Sequence, residues 1–275
     1  MTTARKIALR DLDNELPLTT LIGGNADEPC RFGLRSWTGA DIKAAEDALK
    51  RAGGNVFSEM LELLALFVVA LDYPESVHPK PWETLSTQSE RVKALGALPP
   101  GDVMMMWLTM RRINYGSKYA LLPKCDTCGA APVREFDIGD IEIEVPDRPE
   151  SMQFSHELEV PISYGKGESE REVTLLQFRA PCFGDLSGQN GKSVSVSEYV
   201  RTGVVGTNIG KIQLLSIHFE KMAIADCEEI DLKIVEAIKF PDLNHEWTCN
   251  CGRENRFDVA VAYYPFFKSM SRRFR

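Results

Sequence analysis

The chain has 275 residues, 44% of them apolar, with a formal net charge of −8; this is material for a sizeable core in one domain or two closely joined ones. The excess of carboxylates argues against a partner held by its phosphates, so nucleic acid is not expected. The opening MTTARKIALRDLDNELP lacks the apolar stretch and cleavage site of a signal peptide, which leads to the expectation of a cytosolic protein with no membrane partner.

Residues 1–29 are expected as an N-terminal extension, followed by a helical lobe over 30–122. In RSWTGADIKAAEDALKRAGG, Thr38 and Asp41 make a capping arrangement, Ile42, Ala45 and Leu49 share one face, and Gly53 and Gly54 form a stop. The most apolar window, Met60 to Leu71 (MLELLALFVVAL), contains Glu62 and spans 12 residues, against about 20 for a membrane span, and reads as a buried helix. His78 lies in ESVHPKPW, an exposed connector. The run Met104, Met105, Met106, Trp107, Leu108 and Met110 covers nearly the whole helix circumference. It therefore reads as core rather than as an adaptable partner surface.

A first cysteine turn and a β insert are expected over 123–179. Its strands are Val133 to Ile138, Ile141 to Val145, Leu158 to Ile162 and Val173 to Phe178, with SYGKGESERE as a solvated hairpin tip. A second helical lobe is expected over 180–246, TLLQFRAPCFGDL taking the place that the capped helix holds in the first half. In ADCEEIDLKIVEAIKF, Ile230, Ile234 and Ile238 stand at helical spacing, and Asp226, Glu228 and Glu229 fall at the positive end of the helix dipole. A second cysteine turn and strand follow over 247–265, then a C-terminal arm over 266–275. The fold class expected is α+β: two helical lobes joined by a zinc-ribbon-like cysteine site, with a small antiparallel β insert between them.

Seven cysteines in a reducing compartment point to thiols or metal ligands rather than a disulfide framework. Cys30, Cys182 and Cys227 stand alone and read as packing. Cys125 and Cys128 form CDTCG, and Cys249 and Cys251 form CNCG. A redox pair needs a helix N-terminus, whereas here Gly129, Pro132 and the strand-like VREFDI follow. A disulfide within the second pair would strain the bridge geometry. Two glycine-terminated turns that bring four thiolates to one ion fit a closed, structural Zn(Cys)4 site, with His245 as the alternative ligand.

Catalysis is not expected. GQNGKS (188–193) ends like a phosphate loop, but Leu186 occupies the position of the required first glycine. The histidines His78, His156, His218 and His245 lack metal-ligand spacing, and neither G-x-S-x-G nor H-E-x-x-H occurs. The order of an Arg-Xaa-Trp-Thr-Gly opening with Asp41, RRINYG before a cysteine turn, the β segment, an apolar helix, CxCG and a terminal Phe266-Phe267 resembles the baseplate hub and tail-assembly family of contractile-tailed phages, of the T-even type. Versions also occur with contractile injection machines. The resemblance spans about residues 30 to 268; Arg111, Arg112, Tyr115 and Gly116 match the family's Arg and Tyr-Gly positions, and the four cysteines match its turns, the second one residue shorter than usual. It implies a non-enzymatic hub component or assembly chaperone, present in the host cytoplasm during assembly or in the finished tail. The implied partners are other tail or baseplate proteins, with no small-molecule substrate.

The alternatives are a zinc-ribbon nucleic-acid module and a metal-dependent hydrolase. The first should show a basic, aromatic-interleaved face, which only FFKSMSRRFR fits. Phe266, Phe267, Arg272, Arg273, Phe274 and Arg275 are the expected partner-binding residues, as an arm on a neighbouring subunit or docked on the chain's own core.

Overall fold

The computed structural model describes residues 4–25, 27–164, 170–186, 203–210 and 222–258, and every structural statement concerns these residues. In chain order they form β1 (Ala4–Ala8), α1 (Pro17–Leu21), β2 (Phe32–Leu34), α2 (Ile42–Ala52), α3 (Val56–Phe67), β3 (Val68–Leu71), α4 (Gln88–Gly96) and α5 (Pro100–Tyr115). Then come β4 (Lys118–Leu121), β5 (Arg134–Asp137), β6 (Glu142–Pro146), β7 (Gln153–Tyr164), β8 (Arg171–Arg179), α6 (Phe183–Leu186), β9 (Val204–Thr207), α7 (Ile224–Ala237), β10 (Asn244–Thr248) and β11 (Glu254–Asp258). The strands pair antiparallel, as β1 with β6, β2 with β3, β4 with β5, β10 with β11, and the three-stranded sheet β7-β8-β9. The expected α+β class holds, as helices with small antiparallel sheets. No helix among the described residues is long and apolar enough to cross a membrane.

Helix α5 is buried from Pro100 through Arg111, as its all-round apolar sequence requires. Its Asp102 is wholly buried. The carboxylate accepts the N–H of Leu18 at 3.2 Å, and the N–H and hydroxyl of Thr19, so that α5 caps the start of α1. The main core gathers around α5 and takes Leu9, Leu12, Leu16 and Leu18 from the first thirty residues, Leu61, Leu64 and Phe67 from α3, and Ile141, Ile143 and Val145 around β6. The described residues from Ala4 to Pro29 are therefore not an appendage. Leu9, Leu12, Leu16 and Leu18 are core, and β1 pairs with β6 across the chain, Ala4 opposite Pro146.

Three further expectations differ from the structure. The window Met60 to Leu71 is helical only to Phe67; Val68 to Leu71 leave as β3, where the β-branched pair Val68-Val69 favours extended backbone and β2 supplies the ladder, Phe32 opposite Leu71. TLLQFR is part of strand β8 rather than a counterpart of α2, and the helix after it is only α6. The expected two-lobe division is not what the packing follows. Phe183 and Leu243, from the second half, belong to the main core. A smaller core holds Leu158, Ile162, Val173, Leu176, Phe178 and Val204 of the β7-β8-β9 sheet against Ile230 and Ile234 of α7.

Local rules read from the sequence act as expected elsewhere. Thr38 and Asp41 form a reciprocal capping box, and Gly53 and Gly54 end α2 with φ of +64° and +85°, a conformation costly for any residue with a Cβ. Strands β7 and β8 form the expected hairpin, Tyr164 opposite Arg171; its tip, residues 165–169, lies outside the described residues.

Candidate metal centre

The two cysteine turns sit at the ends of two hairpins. In the first, β4 and β5 pair from Lys118–Asp137 to Leu121–Arg134, and the chain between them carries Cys125 and Cys128. In the second, β10 and β11 pair from Asn244–Asp258 to Thr248–Glu254, and Cys249 and Cys251 occupy the turn. Each turn is held by its own backbone. Cys125 N–H donates to Ala130 O at 2.8 Å and Gly129 N–H to Cys125 O at 2.9 Å; Cys249 N–H donates to Arg253 O and Gly252 N–H to Cys249 O, both at 2.8 Å. Gly129 has φ of +72° and Gly252 +83°, so the glycine after each cysteine pair turns the chain back where a side chain would be strained. The second turn, although one residue shorter, reaches the same left-handed glycine.

The hairpins meet thiol to thiol. Cys125 Sγ lies 3.8 Å from Cys251 Sγ and Cys128 Sγ 3.6 Å from Cys249 Sγ, and all four sulfurs fall within 4.8 Å of one another. Cys125 and Cys249 are buried with Trp247, while Cys128 and Cys251 are exposed and none of the four forms a disulfide. Such a cluster could hold a metal ion. The N–H of Cys128, and then that of Thr127, act on Cys125 and bring its thiol down to about 6, against the opposing effect of burial. At Cys128 the N–H of Ala130 also acts downward, but contact with the Cys249, Cys251 and Cys125 sulfurs prevails and pushes it up to about 11. Four touching sulfurs cannot all carry negative charge without a cation among them.

Other residues join the hairpins. The guanidinium of Arg134 lies over the Trp247 ring at 5.1 Å and donates to Thr248 O at 3.1 Å. Asp126 N–H donates to the side chain of Asn255 at 3.3 Å. His245, the alternative ligand, packs its ring 5.8 Å from that of Phe136 and is not a member of the sulfur cluster. At the base of the second hairpin, Asp242 N–H donates to Glu142 O at 2.7 Å. The base is thus tied to β6 and the tip to the first turn. Arg134, Trp247 and Asn255 were not singled out from sequence; the aromatic two residues before a cysteine turn was the available signal.

The other motif residues hold the fold. Arg35 grips Asp41 with two hydrogen bonds of 2.9 and 2.7 Å, and Trp37 stacks on Phe67 at 4.5 Å. Buried Arg111 donates to Gly116 O at 2.8 Å and lies over the Tyr115 ring at 5.2 Å. Arg112 O accepts Gly116 N–H at 2.9 Å. Among the lone cysteines, Cys30 is core, Cys227 packs beside the smaller core, and Cys182 donates from Sγ to Asp185 at 3.1 Å.

Asp226 lies in the first turn of α7, at the positive end of the helix dipole as its sequence position predicts, and its carboxylate points inward. It accepts Glu159 N–H at 3.0 Å and lies 2.7 Å from His156 Nε2. Burial would raise its pKa, but these partners outweigh it and hold the carboxyl below its ordinary value. The pair pins α7 to an irregularity in β7, where the register shifts between Glu157 and Ile162. The expected loop at 188–193, His218 and the arm residues Phe266, Phe267, Arg272, Arg273, Phe274 and Arg275 lie outside the described residues. Comparisons with protein-family models, curated proteins and solved structures found no match.

Proposed function

We propose that this protein is a non-enzymatic structural or assembly component of a contractile phage tail baseplate, as a hub part or an assembly chaperone, stabilised by structural zinc at Cys125, Cys128, Cys249 and Cys251. The sulfur geometry carries the zinc reading. Tetrahedral zinc with bonds of about 2.3 Å to sulfur requires sulfur separations of about 3.8 Å; the pairs here stand at 3.8 and 3.6 Å. Zinc supplies a cross-link between two hairpins and neutralises the thiolates. Four cysteine ligands leave no position for water or substrate, which favours a structural role.

The baseplate role is supported by the resemblance in motif order, and the matched residues Arg111, Arg112, Tyr115 and Gly116 doing structural work suits a scaffold. Its partners would be other tail and baseplate proteins, met in the host cytoplasm during assembly. Elemental analysis of the purified chain should find about one zinc per chain; no zinc would overturn the metal assignment. Mass spectrometry of purified tails, together with assembly in a deletion strain, tests the role. A chain found at fixed stoichiometry is a component, and a chain absent from tails yet needed to build them is a chaperone. Normal tails from the deletion strain would overturn both.

A further inference from the structure

Helix α7 buries Ile230 and Ile234 against the β7-β8-β9 sheet, so its opposite side should be polar. Instead Ile224 is 79% exposed, Leu232 65% and Val235 62%. At 3.6 residues per turn these three fall within about 80° of one another, as a stripe along the helix. Glu228 lies in the same sector, with Asp231 and Glu236 flanking it on either side, all exposed. Glu229, nearer the sheet, is neutralised by Lys233 at 2.8 Å, whereas no ion pair reaches the outer three among the described residues. Single exposed aliphatics are ordinary. Three along one face, framed by unpaired carboxylates, make a receiving surface for a cationic segment with large apolar side chains.

This chain contains such a segment. FFKSMSRRFR, residues 266–275, combines Phe266, Phe267 and Phe274 with Lys268, Arg272, Arg273 and Arg275, in a protein of net charge −8. We propose that the outward face of α7 is a self-association surface that takes residues 266–275 of a second copy of the chain. Aromatic side chains cover the aliphatic stripe, and the arginines meet Glu228 and Asp231. The contact joins two different patches, so it closes reciprocally in a two-fold dimer that exchanges arms, closes as a larger ring, or runs on as an open string of copies. It does not depend on the phage-tail reading.

Light scattering on the full chain tests this. At low ionic strength the mass should rise above that of a monomer as protein concentration increases, and salt should reverse the rise. Leu232→Glu should weaken association about tenfold or more, since a central apolar anchor is lost, with thermal melting unchanged because the side chain already faces water. Glu228→Lys with Asp231→Lys should abolish association, as should Arg272→Glu with Arg273→Glu, and a chain carrying all four changes should regain it. A monomer at every concentration and ionic strength overturns the proposal. So does association that Leu232→Glu leaves intact, or a fourfold exchange that restores nothing. Cross-linking of the segment to α7 within a monomer would assign the face to its own chain and reject the second copy.

Discussion

Asp102 is a carboxyl group wholly removed from water, and burial raises its pKa to about 7 despite the donors on Thr19 and Leu18 that favour the anion. The folded value lies above the ordinary 3.8, so this group's contribution to stability is complete below about pH 4 and is lost as pH rises toward 7, by up to about 1.4 kcal/mol per pH unit. Asp102→Asn should flatten that stretch of the stability profile, as followed by thermal melting from acid to neutral pH; an unchanged slope would mean the carboxyl ionises freely in the fold. Asp102→Ala should instead cost about 3 kcal/mol, by leaving buried donors on α1 unanswered. At the sulfur cluster, Cys128→Ser should lower the content of the proposed metal and cost a few kcal/mol, because metal binding is coupled to the joining of the two hairpins. Unchanged melting with one ligand gone would speak against the site. Gly252→Ala has open space around the added methyl but keeps φ at +83°, so a loss of about 1–2 kcal/mol should come from backbone strain alone.

Among the elements, α5 has the tightest demand on its sequence. A methyl group on Gly101 would run into the carbonyl of Lys239 and the side chains of Ile143 and Leu18, so the start of α5 lies against the chain leading to the second hairpin with no room to spare. Gly101→Ala should cost about 1–3 kcal/mol or more, measurable by chemical denaturation, and a neutral result would mean that the two segments can separate. Elements defined by neighbours in sequence were legible. Thr38, Asp41, Gly53 and Gly54 announce α2, the unbroken apolar run announces a buried α5, and alternation announces β7 and β8. Elements defined by a distant partner were not. Strand β1 exists because β6 lies more than a hundred residues away in the chain, and β3 because β2 is there to pair with Val68 and Leu71. Asp226 shows the same limit at one position. In sequence it is an acidic residue in the first turn of a helix; only the fold brings His156 and the Glu159 amide to it.

At the scale of the whole molecule, the cysteine cluster was the most legible site, because each turn states its own geometry in a few residues and the two match. What surrounds it was hidden, since Arg134 and Trp247 acquire their roles only when the hairpins meet. Removing metal with a chelator should loosen β10 and β11 from the first hairpin while α3 and α5 stay protected, because the main core draws on neither turn. Hydrogen exchange would check this: equal loss of protection in α5 would make the cluster essential to the whole fold, and no loss in β11 would make it dispensable. The cluster also has a history in time. Its partners across the two turns are separated by 121 and 126 residues. At a synthesis rate of about 5–20 residues per second, the first pair leaves the ribosome roughly 6–25 s before the second. For that interval Cys125 and Cys128 form half a site, open to oxidants and to any soft ion, while most of the main core has already been made. Maturation of this protein is therefore a matter of order, in which the early pair must stay reduced until the second hairpin arrives to close the cluster.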